Sequence, residues 1–141
     1  MHIKEITWQQ TIPIRHKVLW PDKPPEFCHI EDDNDGWHFG YYVGDDLVGV
    51  ASVYPSGSVT GNDARLRKFA TLASSQGKGI GTKLLNHIIL TLKNRGITLF
   101  WCDARETATG FYERFGLHKQ GSRFFKSTVP YFKMSVELTR L

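Results

Sequence analysis

The segment QGKGIG, residues 76–81, sets three glycines on alternate positions directly before a long amphipathic stretch. Glycine costs a helix roughly 1 kcal/mol per position relative to alanine, so this placement calls for a reason. The start of a helix offers about four backbone N–H groups without intrahelical partners, together with a partial positive charge. Glycines let a ligand approach those groups closely, so the segment predicts an anion site, with a plain tight turn as the alternative.

The stretches that flank this loop predict a strand before it and a helix after it. Residues 64–72 (ARLRKFATL) alternate as a strand whose even-numbered side chains from Leu66 onward share one face. Beyond the loop, apolar residues recur at helical spacing from Ile80 to Leu92, and a closing Asn-Arg-Gly sequence ends at Gly96. A strand, a glycine loop and a helix in this order, with lysines alongside, favour the anion site over the turn.

The remaining segments predict a sheet with helices on both of its faces. A first strand is expected within residues 1–8, then a helix that ends near residue 20, and then a hairpin over 38–54. The segment 55–63 (PSGSVTGND) is expected to be a loop. A strand at 97–104, flanked by helices and so central, precedes a short helix ended by Gly116 and a final pair of strands. These elements predict one mixed α/β domain over residues 1–141, with three layers around a mainly antiparallel sheet.

Two familiar phosphate-binding patterns do not fit the loop. A dinucleotide-binding fingerprint needs a glycine at position 82, which is threonine, and a carboxylate about 20 residues further on, where residues 97–102 have none. A nucleoside-triphosphate loop needs Gly-Lys directly before Ser or Thr, whereas Gly81-Thr82-Lys83 has the order reversed. The chain also lacks a Gly-x-Ser-x-Gly elbow and a His-Glu-x-x-His motif, and no metal site is predicted.

Two motifs give the sequence a resemblance to a known family. Residues 76–81 match the pattern Q/R-x-x-G-x-G/A, and ARETATGFYERFGL, residues 104–117, is similar to A-x-x-F-Y-E-x-x-G-F. Both patterns, in this order and with a strand between them, are typical of the GNAT N-acetyltransferases. The resemblance covers essentially the whole chain and implies the GNAT three-layer sandwich, with acetyl-CoA as the cofactor and an amine as the acceptor.

The resemblance also implies a cofactor site. The backbone amides that would bind the diphosphate of acetyl-CoA are those of Gln76, Gly77, Lys78, Gly79, Ile80, Gly81 and Thr82. Pantetheine would lie between the strands at 65–72 and 99–104, beside Leu72 at the end of the first of them. Arg105 stands where many relatives carry an asparagine that contacts the cofactor, and with Lys78 and Arg114 it is a candidate for the outer phosphates.

The chemistry that the resemblance implies is direct attack of a neutral amine on the thioester in a ternary complex. Tyr112 in GFYERFG occupies the position of the general acid that protonates the departing thiolate. A backbone N–H on the strand that ends at Leu72 would stabilise the oxyanion. The general base is left open among Asp103, His38, the acidic segment 31–35 and a chain of water molecules.

The composition is that of an ordinary globular protein. Hydrophobic residues make up 40% of the chain and charged residues 23%. Cys28 and Cys102 are too few and too far apart for a disulfide framework, and no apolar run approaches the roughly 20 residues of a membrane span. The N-terminus shows no signal pattern. We therefore expect a soluble cytoplasmic protein that does not interact with membranes.

Charge is distributed unevenly along the chain. Residues 26–46 contain seven acids and no Lys or Arg, whereas residues 65–126 contain twelve Lys or Arg and three acids. Both stretches can be solvated surfaces, but they also suit a cationic acceptor and an anionic cofactor, respectively. Two rival functions remain, a nucleic-acid-binding module that stacks bases on Phe69, Trp101 and Phe124, and a protein that binds acetyl-CoA without transferring acetyl. Nucleic acid is the less favoured partner, and a homodimer is left open.

Overall fold

The computed structural model describes residues 2–56 and 62–140, which form seven strands, three α-helices and five short 3-10 helices. The strands are β1 (His2–Ile6), β2 (Trp37–Val43), β3 (Asp46–Ser56), β4 (Asp63–Thr71), β5 (Leu99–Arg105), β6 (His118–Lys126) and β7 (Val129–Glu137). The α-helices are α1 (Trp8–Leu19), α2 (Ile80–Asn94) and α3 (Thr109–Glu113). The 3-10 helices are Pro25–Cys28, Glu31–Asp35, Ala73–Ser75, Glu106–Ala108 and Leu138–Arg140. Of the loop predicted at 55–63, residues 57–61 lie outside the described residues.

The chain divides into two compact units. The first contains residues 1–55 and 66–91, and the second contains residues 56–65 and 92–141, so both β4 and α2 contribute to each unit. The strand order is β1-β2-β3-β4 in the first unit and β4-β5-β7-β6 in the second. A single domain over residues 1–141 remains a prediction.

The first unit begins as an antiparallel meander. β1 pairs with β2, and β2 pairs with β3, through a hairpin in which Gly44 has a φ of 60°. This hairpin confirms the one that the sequence predicts around Gly44. Thr7 begins α1 with a capping box, in which its side chain accepts from the Gln10 N–H while the Gln10 side chain accepts from the Thr7 N–H.

The helices α1 and α2 lie on opposite faces of the first unit's sheet. Ile14 of α1 packs in one buried cluster with Val50 of β3. The next position along, Gly49, faces α2, because a Cβ built there would lie 3.2 Å from Ile80 and 3.4 Å from Leu84. Consecutive residues of a strand point to opposite faces, so the three predicted layers are present in this unit.

The second unit is built around β5. Its first three residues pair in parallel with Asp63–Arg65 of β4, and its whole length pairs antiparallel with β7, as expected of a central strand. One face of this sheet is buried through Phe100, Cys102, Ala104, Met134 and Val136. The intervening side chains of β5 and β7 are exposed or half-buried.

The regular alternation predicted for β4 is interrupted at Lys68, which has a φ of 55°. Arg67 lies 5.8 Å from the centre of the Tyr54 ring, while Ala70 packs with Val50, and Tyr54 and Val50 share one face of β3. Arg67 and Ala70 therefore lie on the same face of β4. In a regular strand, residues three positions apart lie on opposite faces, so one extra residue is present between them. A left-handed residue of this kind is typical of a β-bulge, which bends the strand that carries it.

Within the described ranges, no helix is long and apolar enough to cross a membrane. In the same ranges no group of three or more His, Cys, Asp or Glu side chains could hold a metal ion.

Candidate active site

The loop before α2 needs its glycines because of its backbone conformation. Gly77 and Gly79 have φ values of 76° and 77°, in the left-handed region that L-residues rarely adopt. A Cβ built on either glycine would have nothing within 4 Å, so the surface above them is open. Both residues precede α2, which begins at Ile80. Only Gly81 lies inside the helix and lowers its stability relative to alanine. The glycines therefore shape the loop and keep its main chain uncovered.

The main chain of this loop is anchored at both ends. The Gln76 side-chain amide donates to the Thr71 carbonyl at 3.0 Å, which ties the loop to the end of β4. At the other end, the Lys83 N–H donates to the Gly79 carbonyl at 3.1 Å and begins the helical pattern of α2. The N–H groups of Ile80 and Gly81 belong to the first turn of α2, whose amides have no intrahelical acceptors. An anchored, uncovered turn with a positive helix end fits a diphosphate.

The side chains around the loop leave this surface accessible. Lys78 and Gln76 are exposed, Thr82 is half-buried in the first turn of α2, and Ile80 is buried beneath it. Arg105, the last residue of β5, is also exposed. The part that each of these residues plays in cofactor binding stays a prediction.

Leu72 cannot supply the expected oxyanion donor with its own amide. Its N–H donates to the Val48 carbonyl at 2.9 Å, and its carbonyl accepts from the Ser75 N–H at 2.8 Å. Both main-chain groups are therefore engaged inside the first unit. Leu72 can still contact a cofactor through its side chain, which is half-buried beside a cavity of about 450 Å³.

Tyr112 lies on α3, half-buried on the side of the second unit that holds the buried face of β5. Burial raises its pKa, and the neighbouring Cys102 raises it further, so the phenol keeps its proton at neutral pH. Burial, reinforced by the Asp103 carboxylate and opposed by Arg65, raises the pKa of Cys102 to about 12. This cysteine is therefore a neutral thiol rather than a nucleophile.

His38 is not available as a general base. Its Nε2 lies 2.9 Å from the Asp33 carbonyl, which can only accept, so Nε2 carries the proton. Its Nδ1 lies 2.7 Å from the Ser52 hydroxyl and accepts that hydrogen. Burial lowers the pKa of His38 despite the bond to Asp33, and the ring is only 3% exposed. The imidazole is neutral and both its nitrogens are engaged.

Two of the carboxylates considered as bases, Asp103 and Asp33, are also constrained. Asp103 lies 2.9 Å from Arg65 and 3.4 Å from Lys126. Asp33, within the acidic segment 31–35, is buried and receives two bonds from Arg15, of 2.7 and 3.0 Å. Burial alone would raise the pKa of Asp33, but the hydrogen bonds from Arg15, Tyr54 and the Ile30 N–H outweigh it and lower the pKa. Glu31, Asp32 and Asp35 of the same segment are exposed, so the general base stays a prediction that is open between these carboxylates and a water molecule.

Sequence reasoning missed the buried network around Arg15. Its guanidinium also donates to the Cys28 carbonyl at 3.0 Å, the Ser52 hydroxyl at 2.9 Å and the Tyr54 hydroxyl at 3.1 Å. One side chain of α1 therefore holds the 25–35 segment and β3 together. A signal was present, because Arg15 follows the inward-facing Thr11 by four residues and so lies on the buried stripe of α1.

Comparisons with known proteins bear on this site. Residues 2–117 match the profile of the Acetyltransferase (GNAT) family. The chain belongs to the GNAT family of acetyltransferases. It is 30% identical over 129 residues to the uncharacterized N-acetyltransferase YitI of Bacillus subtilis (strain 168), covering 88% of this chain and 87% of that protein.

Solved structures of similar fold include two that hold a coenzyme. An aminoglycoside 6'-N-acetyltransferase complexed with coenzyme A has a TM-score of 0.79 at 16% identity, covering 98% of this chain and 97% of its own. A GNAT acetyltransferase from Elizabethkingia anophelis with acetyl-CoA bound has a TM-score of 0.74 at 18% identity, covering 96% and 97%. The predicted family and the mixed, mostly antiparallel fold are confirmed.

Proposed function

We propose that this GNAT protein is an acetyl-CoA-dependent N-acetyltransferase that acetylates a primary amine by direct attack in a ternary complex. The observation that carries the proposal is the left-handed pair Gly77 and Gly79, which leaves an anchored main chain uncovered at the start of α2. Family membership and the coenzyme-bound structures of similar fold support the same cofactor.

The chain's own residues have two tasks in this reaction, to bind the diphosphate and to hold a proton for the leaving group. Acetyl-CoA, when bound, supplies a thioester whose carbonyl carbon bonds to the amine nitrogen as the C–S bond breaks. The loop 76–82 binds the diphosphate and so orients the reacting end. Tyr112 holds a proton at Oη for the departing sulfur. Because its pKa is raised, Tyr112 is a weaker acid than a free phenol, and it serves best by donating as the C–S bond opens.

The proposal is tested by binding and turnover measured on the same preparation. Calorimetry should show CoA binding to the folded chain, and an amine panel should show release of free CoA. We expect Tyr112→Phe to lower kcat by about 100-fold, the usual scale of general acid catalysis, with little change in the Kd for CoA. The matched control is Tyr42→Phe. Tyr42 is also a half-buried tyrosine, but it lies in the first unit and packs against the core there.

Each outcome has a distinct meaning. Absence of CoA binding would refute the assignment of the loop and of the function with it. Unchanged turnover in Tyr112→Phe would remove this residue from the mechanism while leaving the cofactor site intact. CoA binding without release from any amine would indicate the rival protein that binds the coenzyme without transferring acetyl.

A further inference from the structure

The surface face of the second unit's sheet carries an interlocked group of cations and aromatic rings. This group, called the cationic face below, consists of Arg65, Trp101, Asp103, Lys126, Tyr131 and Lys133. Arg65 and Lys133 lie 4.7 and 4.5 Å from the centre of the Trp101 ring. Lys126 lies 4.7 Å from the centre of the Tyr131 ring.

The cationic face has more positive than negative charge. The group contains three cations and one carboxylate, Asp103, which Arg65 and Lys126 contact at 2.9 and 3.4 Å. Lys133 makes no ion pair with any residue in the described part of the chain, and its side chain is exposed over Trp101. The group as defined therefore has a formal net charge of about +2 (three cations and one carboxylate), on a surface that water and ligands can reach.

The aromatic rings hold these cations in place. A cation over an aromatic ring is attracted to the ring face, which reduces the number of conformations that a lysine samples. The Tyr131 ring is itself stacked on Phe124 at a centroid distance of 5.9 Å. A ligand anion would thus meet charges that are already positioned, next to a flat apolar surface, and would lose less entropy on binding.

The proposed proton donor and the cationic face lie on opposite sides of β5. Cys102 points to the buried face and is near enough to Tyr112, the proposed proton donor, to raise the pKa of that phenol. Trp101 and Asp103, the neighbours of Cys102 in β5, point to the cationic face. An amine that enters a ternary complex must approach from a side that is open to solvent. Within the second unit, the open side of β5 is the cationic face.

We propose that the acceptor amine carries an anionic group, a carboxylate or a phosphate, which binds to Lys126 and Lys133 on the cationic face. This inference rests on the proposed acetyltransferase function and names the class of its acceptor. It has the opposite sign to the cationic acceptor expected from the acidic stretch 26–46. That expectation counted Asp33 among its charges, but Asp33 is buried and compensated by Arg15.

The experiment compares acceptors in pairs that differ by one anionic group. The pairs are 4-aminobutyrate with butylamine, phenylalanine with 2-phenylethylamine, and phosphoethanolamine with ethanolamine, each followed by CoA release. In at least one pair, kcat/KM should be about tenfold higher for the anionic member. An exposed ion pair contributes roughly a factor of three, and the anionic group would pair with two lysines. In the double variant Lys126→Gln/Lys133→Gln this ratio should fall toward one.

The control variant is Lys119→Gln. Lys119 is also an exposed lysine over an aromatic ring, 4.6 Å from the centre of Phe132, but it pairs with Met134 on the other face of the same hairpin. The ratio should be unchanged in this variant. A preference for neutral or cationic amines, or a ratio that survives in the double variant, would overturn the proposal.

Failure of the inference can be told apart from failure of the proposed function. If CoA binds but no member of the panel turns over, calorimetry of the three anionic amines on the CoA-loaded chain decides. Binding that the double variant loses supports the proposal, and absence of binding overturns it. Salt-sensitive binding of a single-stranded oligonucleotide that is lost in the double variant, with no preference among amines, would instead assign this face to nucleic acid.

Discussion

The substitution Gly79→Ala tests the loop most directly, because the structure allows its two effects to be separated. Gly79 has a φ of 77°, where an L-residue costs about 1–2 kcal/mol. For a chain of 141 residues this corresponds to a fall in Tm of about 3–7 °C. The added methyl group would also project into the open space above the loop, where the diphosphate is proposed to bind.

The expected loss of affinity follows from the hydrogen bonds at stake. Each charge-assisted bond between an amide and a phosphate oxygen contributes about 1.5–3 kcal/mol, so losing one or two should weaken CoA binding by about 10- to 100-fold or more. Gly96→Ala is the matched control, since Gly96 has a φ of 78° and open space around its Cβ, just beyond the other end of α2. Both variants should lose similar stability, and only Gly79→Ala should lose CoA affinity by calorimetry. Equal affinities for CoA in the two variants would refute the reasoning.

Three further predictions concern buried groups. The pKa of His38 is lowered in the folded chain, so its contribution to stability is complete above its unfolded pKa of about 6.5 and is lost as the pH falls. The free energy of unfolding, measured by denaturation at several pH values between about 7 and 4.5, should therefore decrease with falling pH. His38→Gln should remove most of this decrease. Arg15→Met should lower the free energy of unfolding by about 3–5 kcal/mol in urea, because it leaves Asp33 buried without its partner, and a loss below 1 kcal/mol would contradict this account. Cys102, whose pKa is raised to about 12, should resist iodoacetamide at pH 8 in the folded chain and react once urea unfolds it, and rapid labelling of the folded protein would be the contrary result.

The sequence predicts best those features that depend on neighbours along the chain. The apolar period from Ile80 to Leu92 defines α2, and the structure buries that stripe. The hairpin around Gly44 and the end of the α3 segment at Gly116 follow from glycine's tolerance of positive φ, and both positions have it. The loop at 76–81 is uncovered, as its glycines led us to expect, although two of them lie before the helix rather than in it, and the binding of a diphosphate there stays a prediction.

Contacts between residues that are distant in sequence were beyond the reach of the same reasoning. Asp33 appears in the sequence as one of seven acids in a solvated stretch, yet it is 1% exposed and bonded to Arg15, 18 positions away. His38 looked available as a base until the partners of both its nitrogens were known. Neither spacing nor composition specifies which distant side chain completes a buried hydrogen-bond network, because that depends on how the helix and the sheet pack.

The positions where the backbone departs from ordinary L-residue geometry are informative about function. Between residues 68 and 79, Lys68 interrupts β4 with a φ of 55°, and Gly77 and Gly79 follow in the loop. Backbone strain costs free energy and persists where the surrounding structure holds it, most often at binding sites. The left-handed residue in β4 and the uncovered loop 76–81, which matches the first GNAT motif, place two unusual backbone conformations within residues 68–79. Because the Leu72 N–H is engaged with the Val48 carbonyl, we expect the oxyanion donor among the other amides of β4, and the left-handed residue Lys68 marks the point where the alternation of that strand is interrupted.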